Sequence, residues 1–463
     1  MNRSRFSPLA ICLAVFVVFA LHSASVLAQS PVLLTYTVPP QPLHLQVIGS
    51  EIHVLCGQVD NNFNGTQDVG DVPASWVVLN ANGTNTLRSQ LFAWNDGVGF
   101  PCRPAYDVAT NTLYLAQRGR IRAFDTRTQA VKRDTVLLID SLARSTFGTS
   151  GTISALSFAR TGISAAQRLA ISLRGRSTSA VIELDPVQNR ILNRYPAGIF
   201  VQQAIFYTTP VDGQEIVILN EGGFGTSTAT LMIGASPNTL TALNIGDTGN
   251  HLYLDGGRAF VTMNGSHQVH IVDLNTRRIT RTIPTNTSGF NGPRESVLIG
   301  NTLYVTTYAS DVRMFDIRTG QELGRLNPRG KPEGIAALGN NVVVANAFEA
   351  GGFASATSVV VFNTIASVKK IFGNEASISL SPNPTADRTT LRVQGVNGFS
   401  GDISLVLVNT LGKQVATLSP HFTSISSIET EFSAEELGLA QGMYFVHIRS
   451  AQGMTAVPVQ VLR

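Results

Sequence analysis

The 463-residue chain carries 34 Lys and Arg against 30 Asp and Glu, and only 14% of its residues are charged, where about 25% is usual. The near balance of signs and the lack of any basic block exclude an electrostatic binder of nucleic acid or of anionic lipid. Few charges beside many Gly, Thr, Ser and Asn suit an all-β exported protein.

The chain opens on a basic head with Arg3 and Arg5, an apolar stretch PLAICLAVFVVFAL, and then SASVLA. Val26 and Ala28 stand at −3 and −1 of a cut before Gln29, so residues 1–28 read as a secretory signal peptide. The apolar stretch is short for a bilayer span, and no other apolar run is long enough to make a transmembrane segment. Cys12 leaves with the signal, so Cys56 and Cys102 remain. In an exported protein these two form one bridge or stay as buried thiols.

After an apolar strand PVLLTYTV, placed to complete a last repeat from a distance, comes HLQVIGSEIHVLCG and then DNNFNGTQDVGD over residues 60–71. Oxygen donors fall at loop positions 1, 3, 5, 7, 9 and 12: Asp60, Asn62, Asn64, the Thr66 carbonyl, Asp68 and Asp71. Gly65 stands at the sharp turn. A hard cation such as Ca2+ takes six to eight oxygens at such spacing, and its role here would be structural. The flanks are strands rather than helices, and Asn, Asp and Gly also favour a plain Asx-turn loop.

Downstream, segments starting at Asn111, Arg258, Asn301 and Asn340 line up as repeats: a β-rich run, a polar turn, an alternating run, a turn and a third run. Three share D-x-x-T at a turn (Asp125/Thr128, Asp273/Thr276, Asp316/Thr319), where the Asp is expected to accept backbone N–H groups. A further strand follows a Pro-containing approach at RPAYDV, GPRESVLI and KPEGIAAL, making four strands per unit. With two looser units and an irregular first one, the repeats give seven β-propeller blades between about Thr35 and Phe372, within a domain spanning 29–372. No stretch shows a helical apolar stripe.

LYVTTY at 303–308, the D-x-x-T turns, the G-P-x blade starts and ILNEGGFGTSTATLMI resemble YVTN-type seven-bladed β-propellers of bacterial surface proteins. That resemblance implies the fold and leaves function open, because propellers host enzymes, binders and scaffolds alike.

Residues 373–463 break the repeat and read as about seven short strands, a small Ig-like β-sandwich. SPNPTAD at 381–387, VNTLGKQV at 408–415 and LAQGMYFVHI at 439–448 follow in order. These resemble the C-terminal sorting domain of the type IX secretion system, the alternative being an adhesive Ig-like domain. The resemblance implies secretion or surface display by way of the periplasm in a Bacteroidetes-like cell. It implies the type IX machinery as partner, and a lipopolysaccharide anchor added on cleavage near residues 373–376.

No H-E-x-x-H, G-x-S-x-G, Walker A or G-x-G-x-x-G pattern is present. The usual propeller site is the mouth of the central channel, where blade starts and inner-strand turns converge. Arg103, Glu221, Asn264, Arg294, Glu295, Lys331, Glu333 and Asn346 are the candidates. Such mixed charges suit a glycan, peptide or protein ligand, or pair with one another at the axis. The expectation is a non-catalytic binding or surface role. The rival is a lactonase-like or phytase-like hydrolase or lyase, for which Glu221, Glu295 and Glu333 are the obvious carboxylates.

Overall fold

The computed structural model describes residues 32–462 apart from 84, 95–101, 118, 139–151, 162–165, 210–212, 364–376, 395–402, 411–412, 425–426 and 451–452. The expected signal peptide at 1–28 and the expected cleavage region at 373–376 lie outside the described residues. The described chain is all-β, and it holds nine four-stranded antiparallel sheets. No helix among the described residues is long and apolar enough to cross a membrane.

Seven sheets are propeller blades. Blades 1 to 6 span 42–91, 105–138, 152–197, 201–246, 249–284 and 293–326, each strand pairing with the next in sequence. Blade 7 takes Gly330–Leu338, Asn341–Glu349 and Ser355–Asn363, and its outer strand is Val32–Thr37 from the other end of the chain. Thr35 pairs with Val360 and Tyr36 with Val359. The Tyr36 hydroxyl then donates to the Asn80 carbonyl of blade 1 at 2.7 Å. First strands of blades 1 and 7 lie side by side, so the ring is closed and the inner edge strand of each blade is shielded around the axis.

The sequence pattern follows from the packing. Middle strands are buried on both faces, so they read as continuous apolar runs such as VVVANA, whereas outer strands such as Arg278–Pro284 alternate with solvent. Along Glu51–Cys56, Leu55 enters the core shared with blades 2 and 3, together with Trp76, Leu113 and Phe124. Its neighbours Val54 and Cys56 face the opposite core, with Tyr36, Val343 and Val359 of blade 7. That alternation separates the two cysteines: Cys102 sits in the first core and Cys56 in the second. Both are free and buried. The bridge considered from the sequence is therefore replaced by two inert thiols, each pushed up to about 12 by burial.

The D-x-x-T turns form as expected. Asp125 Oδ1 accepts from the N–H groups of Arg127 and Thr128 at 2.9 and 3.1 Å, Asp273 from Thr276 at 2.7 Å, and Asp316 from Arg318 at 2.7 Å. Asp185 in blade 3 builds the same turn without the Thr.

The last two sheets face each other across one apolar core containing Leu391, Val393, Ile428, Leu405, Leu407, Val446 and Val459. There are eight strands; the one missed from the sequence, Phe422–Ser424, is three residues long and exposed throughout. The motif SPNPTAD clips onto the final strand: Asn383 Nδ2 donates to the Pro458 carbonyl at 2.8 Å and Asn383 Oδ1 accepts from Gln460 N–H at 2.9 Å. Asp387 Oδ1 accepts from Glu435 N–H at 3.1 Å, and Tyr444 donates to the Ala440 carbonyl at 3.0 Å. These motif residues are the pins of the sandwich.

Candidate functional site

In each blade the connection to the next blade and the loop between the second and third strands leave by the same face. A cavity of about 350 Å³ opens there, at the axis. Blade starts supply His44, Arg103, Gln202, Gln203, Asn250, Arg294, Glu295 and Glu333; the ends of second strands and the loops behind them supply Arg174, Glu221, Phe224 and Asn264. Arg103 is fixed by its backbone: its N–H donates to the Ser154 carbonyl at 3.0 Å, and its carbonyl accepts from Leu156 N–H at 2.8 Å. Gly222 turns the chain after Glu221 at φ +78°, with so little room that an added Cβ would meet Ala229 N at 2.4 Å. That turn carries Phe224 to the rim.

The charges of the cavity pair with one another. Arg294 forks onto Glu333 at 3.0 and 2.8 Å, with its guanidinium 4.7 Å over the ring of Tyr308, whose hydroxyl also donates to Glu333. Arg174 bonds Glu221, which also accepts from Gln202 Nε2 at 2.9 Å, and the Arg174 guanidinium lies 4.6 Å over Phe200. Arg103 bonds Glu295, joining blade 2 to blade 6 across the channel. Glu295 is 1% exposed. Burial raises its carboxyl above the usual range, Arg103 opposes that, and the Glu333 charge adds to it. His44 is 6% exposed, with the Cys102 backbone as its hydrogen-bonding partner. Burial first, then the Arg103 charge, hold its ring well below the usual histidine range against a weaker pull from the Cys102 backbone. His251, also buried, accepts from Ser296 N–H through Nδ1 at 3.1 Å.

Six of the eight expected residues thus share one cavity: Arg103, Glu221, Asn264, Arg294, Glu295 and Glu333. Two stand elsewhere. Lys331 places its ammonium 4.0 Å over the ring of Phe353. Asn346 is fully buried inside blade 7, donating through Nδ2 to the Pro328 carbonyl at 2.8 Å. Sequence reading missed Arg174, the Gln202–Gln203 pair, Asn250 and His44. The signal was available for Arg174, which ends a second strand as Asn220 does one blade later, just before Glu221.

The 60–71 loop lies on the same face, between the second and third strands of blade 1, closed by pairing of Val59 with Val72. Asp60 Oδ2 accepts from Gly65 N–H at 2.8 Å, with Gly65 at φ +78°. Asp71 takes the N–H groups of Asn61 and Asp68, both at 2.8 Å. Asp68 Oδ2 accepts from the amides of Asn62 and Asn64 at 2.8 and 2.6 Å, which hold its carboxyl below the usual range. Asn64 Oδ1 accepts from Thr66 N–H at 2.7 Å. Asp60 Oδ1 is buried without a partner. Among the described residues no three His, Cys, Asp or Glu side chains form a metal cluster; the donors here are mixed carboxylate, amide and carbonyl oxygens.

Comparison with known proteins agrees with both parts of the fold. Residues 379–460 match the family described as the secretion system C-terminal sorting domain. The chain is therefore exported to the cell surface or secreted, and its tail is recognised by the type IX machinery. Among solved structures, the chain is similar to the WD40 β-propeller domain of Doa1, at a TM-score of 0.52 and 12% identity, over 73% of this chain and 98% of that one. It is similar to U3-55K at a TM-score of 0.53 and 12% identity, with the same coverage. At such identity the likeness is one of fold alone. No curated protein matches the chain.

Proposed function

We propose that the protein is a non-catalytic binding propeller of the YVTN type, displayed or secreted by its sorting tail, with its ligand site at the channel mouth. The observation that carries the reading is the pairing of every cavity carboxylate with an arginine: Glu221 with Arg174, Glu295 with Arg103 and Glu333 with Arg294. A general base or a metal-binding carboxylate needs a free oxygen facing the substrate; both oxygens of Glu295 and of Glu333 are bonded, and Glu221 holds Arg174 and Gln202 on Oε2 and keeps only Oε1 open. These carboxylates act instead as fixed walls that orient guanidinium groups. The sorting domain is an address, and cleavage near residues 373–376 with transfer to lipopolysaccharide would leave the propeller on the surface.

Calcium fits the 60–71 loop. Asp60 would hold the ion through Oδ1, with Asn62, Asn64, the Thr66 carbonyl, Asp68 and Asp71 around it. The Asn62 and Asn64 amides would turn their oxygens inward. The ion would brace the loop on the binding face without touching a substrate.

Alanine at Glu221, Glu295 and Glu333 separates binding from catalysis. With lactone, ester and phosphate-ester substrates, the wild-type chain is expected to show no turnover that these changes abolish. A hydrolase rate lost with any of them would overturn the reading.

A further inference from the structure

The cavity has a chemical character beyond being a pocket. Its three arginines and three glutamates neutralise one another pair by pair. A charged ligand entering it would have to break one of those pairs, at a cost in desolvation that a neutral ligand avoids.

Its uncharged groups are fixed at one end and free at the other. Asn250 Nδ2 donates to the Arg294 carbonyl at 2.6 Å and Asn264 Nδ2 donates to the Pro293 carbonyl at 3.1 Å. Both bonds settle the orientation of the amide, so each Oδ1 stands as an acceptor with no partner among the described residues. Gln203 is the converse: its Oε1 accepts from Leu252 N–H at 3.0 Å, which leaves Nε2 as a donor. His44 adds a buried imidazole whose one hydrogen-bonding partner among the described residues is the Cys102 backbone. Its depressed basicity keeps that ring neutral at working pH.

At the rim stands Phe224, 72% exposed. Phe63, Phe290 and Phe353 are 91%, 82% and 58% exposed. All four lie in interblade connections or loops between second and third strands, hence on the cavity face. The opposite turns expose no phenylalanine among the described residues. A flat aromatic beside preorganised donors and acceptors of zero net charge complements a molecule with an apolar face and a ring of hydroxyls.

We infer that the channel mouth binds an uncharged glycan, with one sugar ring stacked on Phe224 and its hydroxyls bonded to Gln203, Asn250 and Asn264. The inference rests on the binding reading above and names its ligand class.

The test screens the full secreted chain against immobilised neutral glucan, mannan and chitin oligosaccharides, against uronate and sulfated polysaccharides, and against a peptide library. Calorimetry then follows the best probe. Neutral oligosaccharides are expected to bind, with an affinity unchanged between low and high salt because no charge is transferred. Phe224→Ala should weaken binding about tenfold or more, and Phe224→Trp should restore it; the exposure of Phe224 leaves the melting temperature unmoved in both. Asn264→Ala should weaken the same probe. Binding confined to charged glycans or peptides, yet lost in Phe224→Ala, would overturn the glycan class and leave the mouth as the site. Neutral-glycan binding that neither variant alters would overturn the site and the inference together, as would the absence of any binding across the three sets.

Discussion

Replacing Arg103 by Met tests how the channel mouth is held. The substitution removes the one cation bonded to Glu295 among the described residues; the Glu295 side chain is 2% exposed. The remaining carboxylate is buried near the Glu333 charge, and it escapes by taking up a proton. From an unfolded value of 4.5, holding that proton at pH 7.5 costs at most about 4 kcal/mol, at about 1.36 kcal/mol per pH unit. Breaking buried pairs typically costs about 3–5 kcal/mol. Arg103 keeps some solvent contact, at 22% exposure, so about 3 kcal/mol is expected.

The sign of the pH dependence follows from the raised carboxyl. A carboxyl raised in the fold contributes most below its unfolded value, and that contribution is lost as pH rises through the folded value. Arg103 normally restrains the rise. The penalty of Arg103→Met should therefore be large at pH 7.5 and shrink to about 1 kcal/mol near pH 4.5. Urea unfolding followed by tryptophan fluorescence at the two pH values reads it. Adding Glu295→Gln removes the charge and keeps an acceptor for the Ile335 N–H, 3.4 Å from Glu295 Oε2, so the double variant should recover most of the loss. An equal penalty at both pH values, or no recovery in the double variant, would refute the reasoning.

Four further outcomes are expected. Gly222→Ala should lower the melting temperature, by a strain of about 1–3 kcal/mol, because its Cβ would strike Ala229 N at 2.4 Å; an unmoved melt would contradict the turn. Calcium should raise the melting temperature, EDTA should reverse the rise, and Asp60→Asn with Asp71→Asn should abolish it, while mass spectrometry counts one ion per chain; a melt indifferent to both calcium and EDTA would leave only the polar turn. Trp76→Ala should cost about 3–5 kcal/mol, measured by urea midpoint, since the indole is fully buried, packs edge-on to Phe124 at 6.1 Å and donates to His53 at 3.3 Å. Truncation before residue 379 should leave the propeller inside the cell envelope, read by fractionation and protease shaving; unchanged surface exposure would contradict the role of the tail.

Local chemistry carries over from sequence to structure because it acts over a few residues. The D-x-x-T turns close within three positions, middle strands must be apolar on both faces, and VNTLGKQV and LAQGMY close their own corners through Asn409 and Tyr444, whereas SPNPTAD finds its clips on Pro458 and Gln460. Those features made the blades and the sorting domain legible. Blade starts likewise pointed to four of the cavity residues, and the turns after inner strands to Glu221 and Asn264. What the tertiary structure alone decided are relations between distant residues. Arg103 meets Glu295 from four blades further along, and Val32–Thr37 finds its partner after a whole turn of the ring. Cys56 and Cys102 part because one strand offers alternate residues to two different cores. Lys331 turns to Phe353 and Asn346 is drawn into blade 7. Composition already limited the chain to few charges; only closure of the ring brought opposite charges together and left a neutral, hydrogen-bonding mouth behind them.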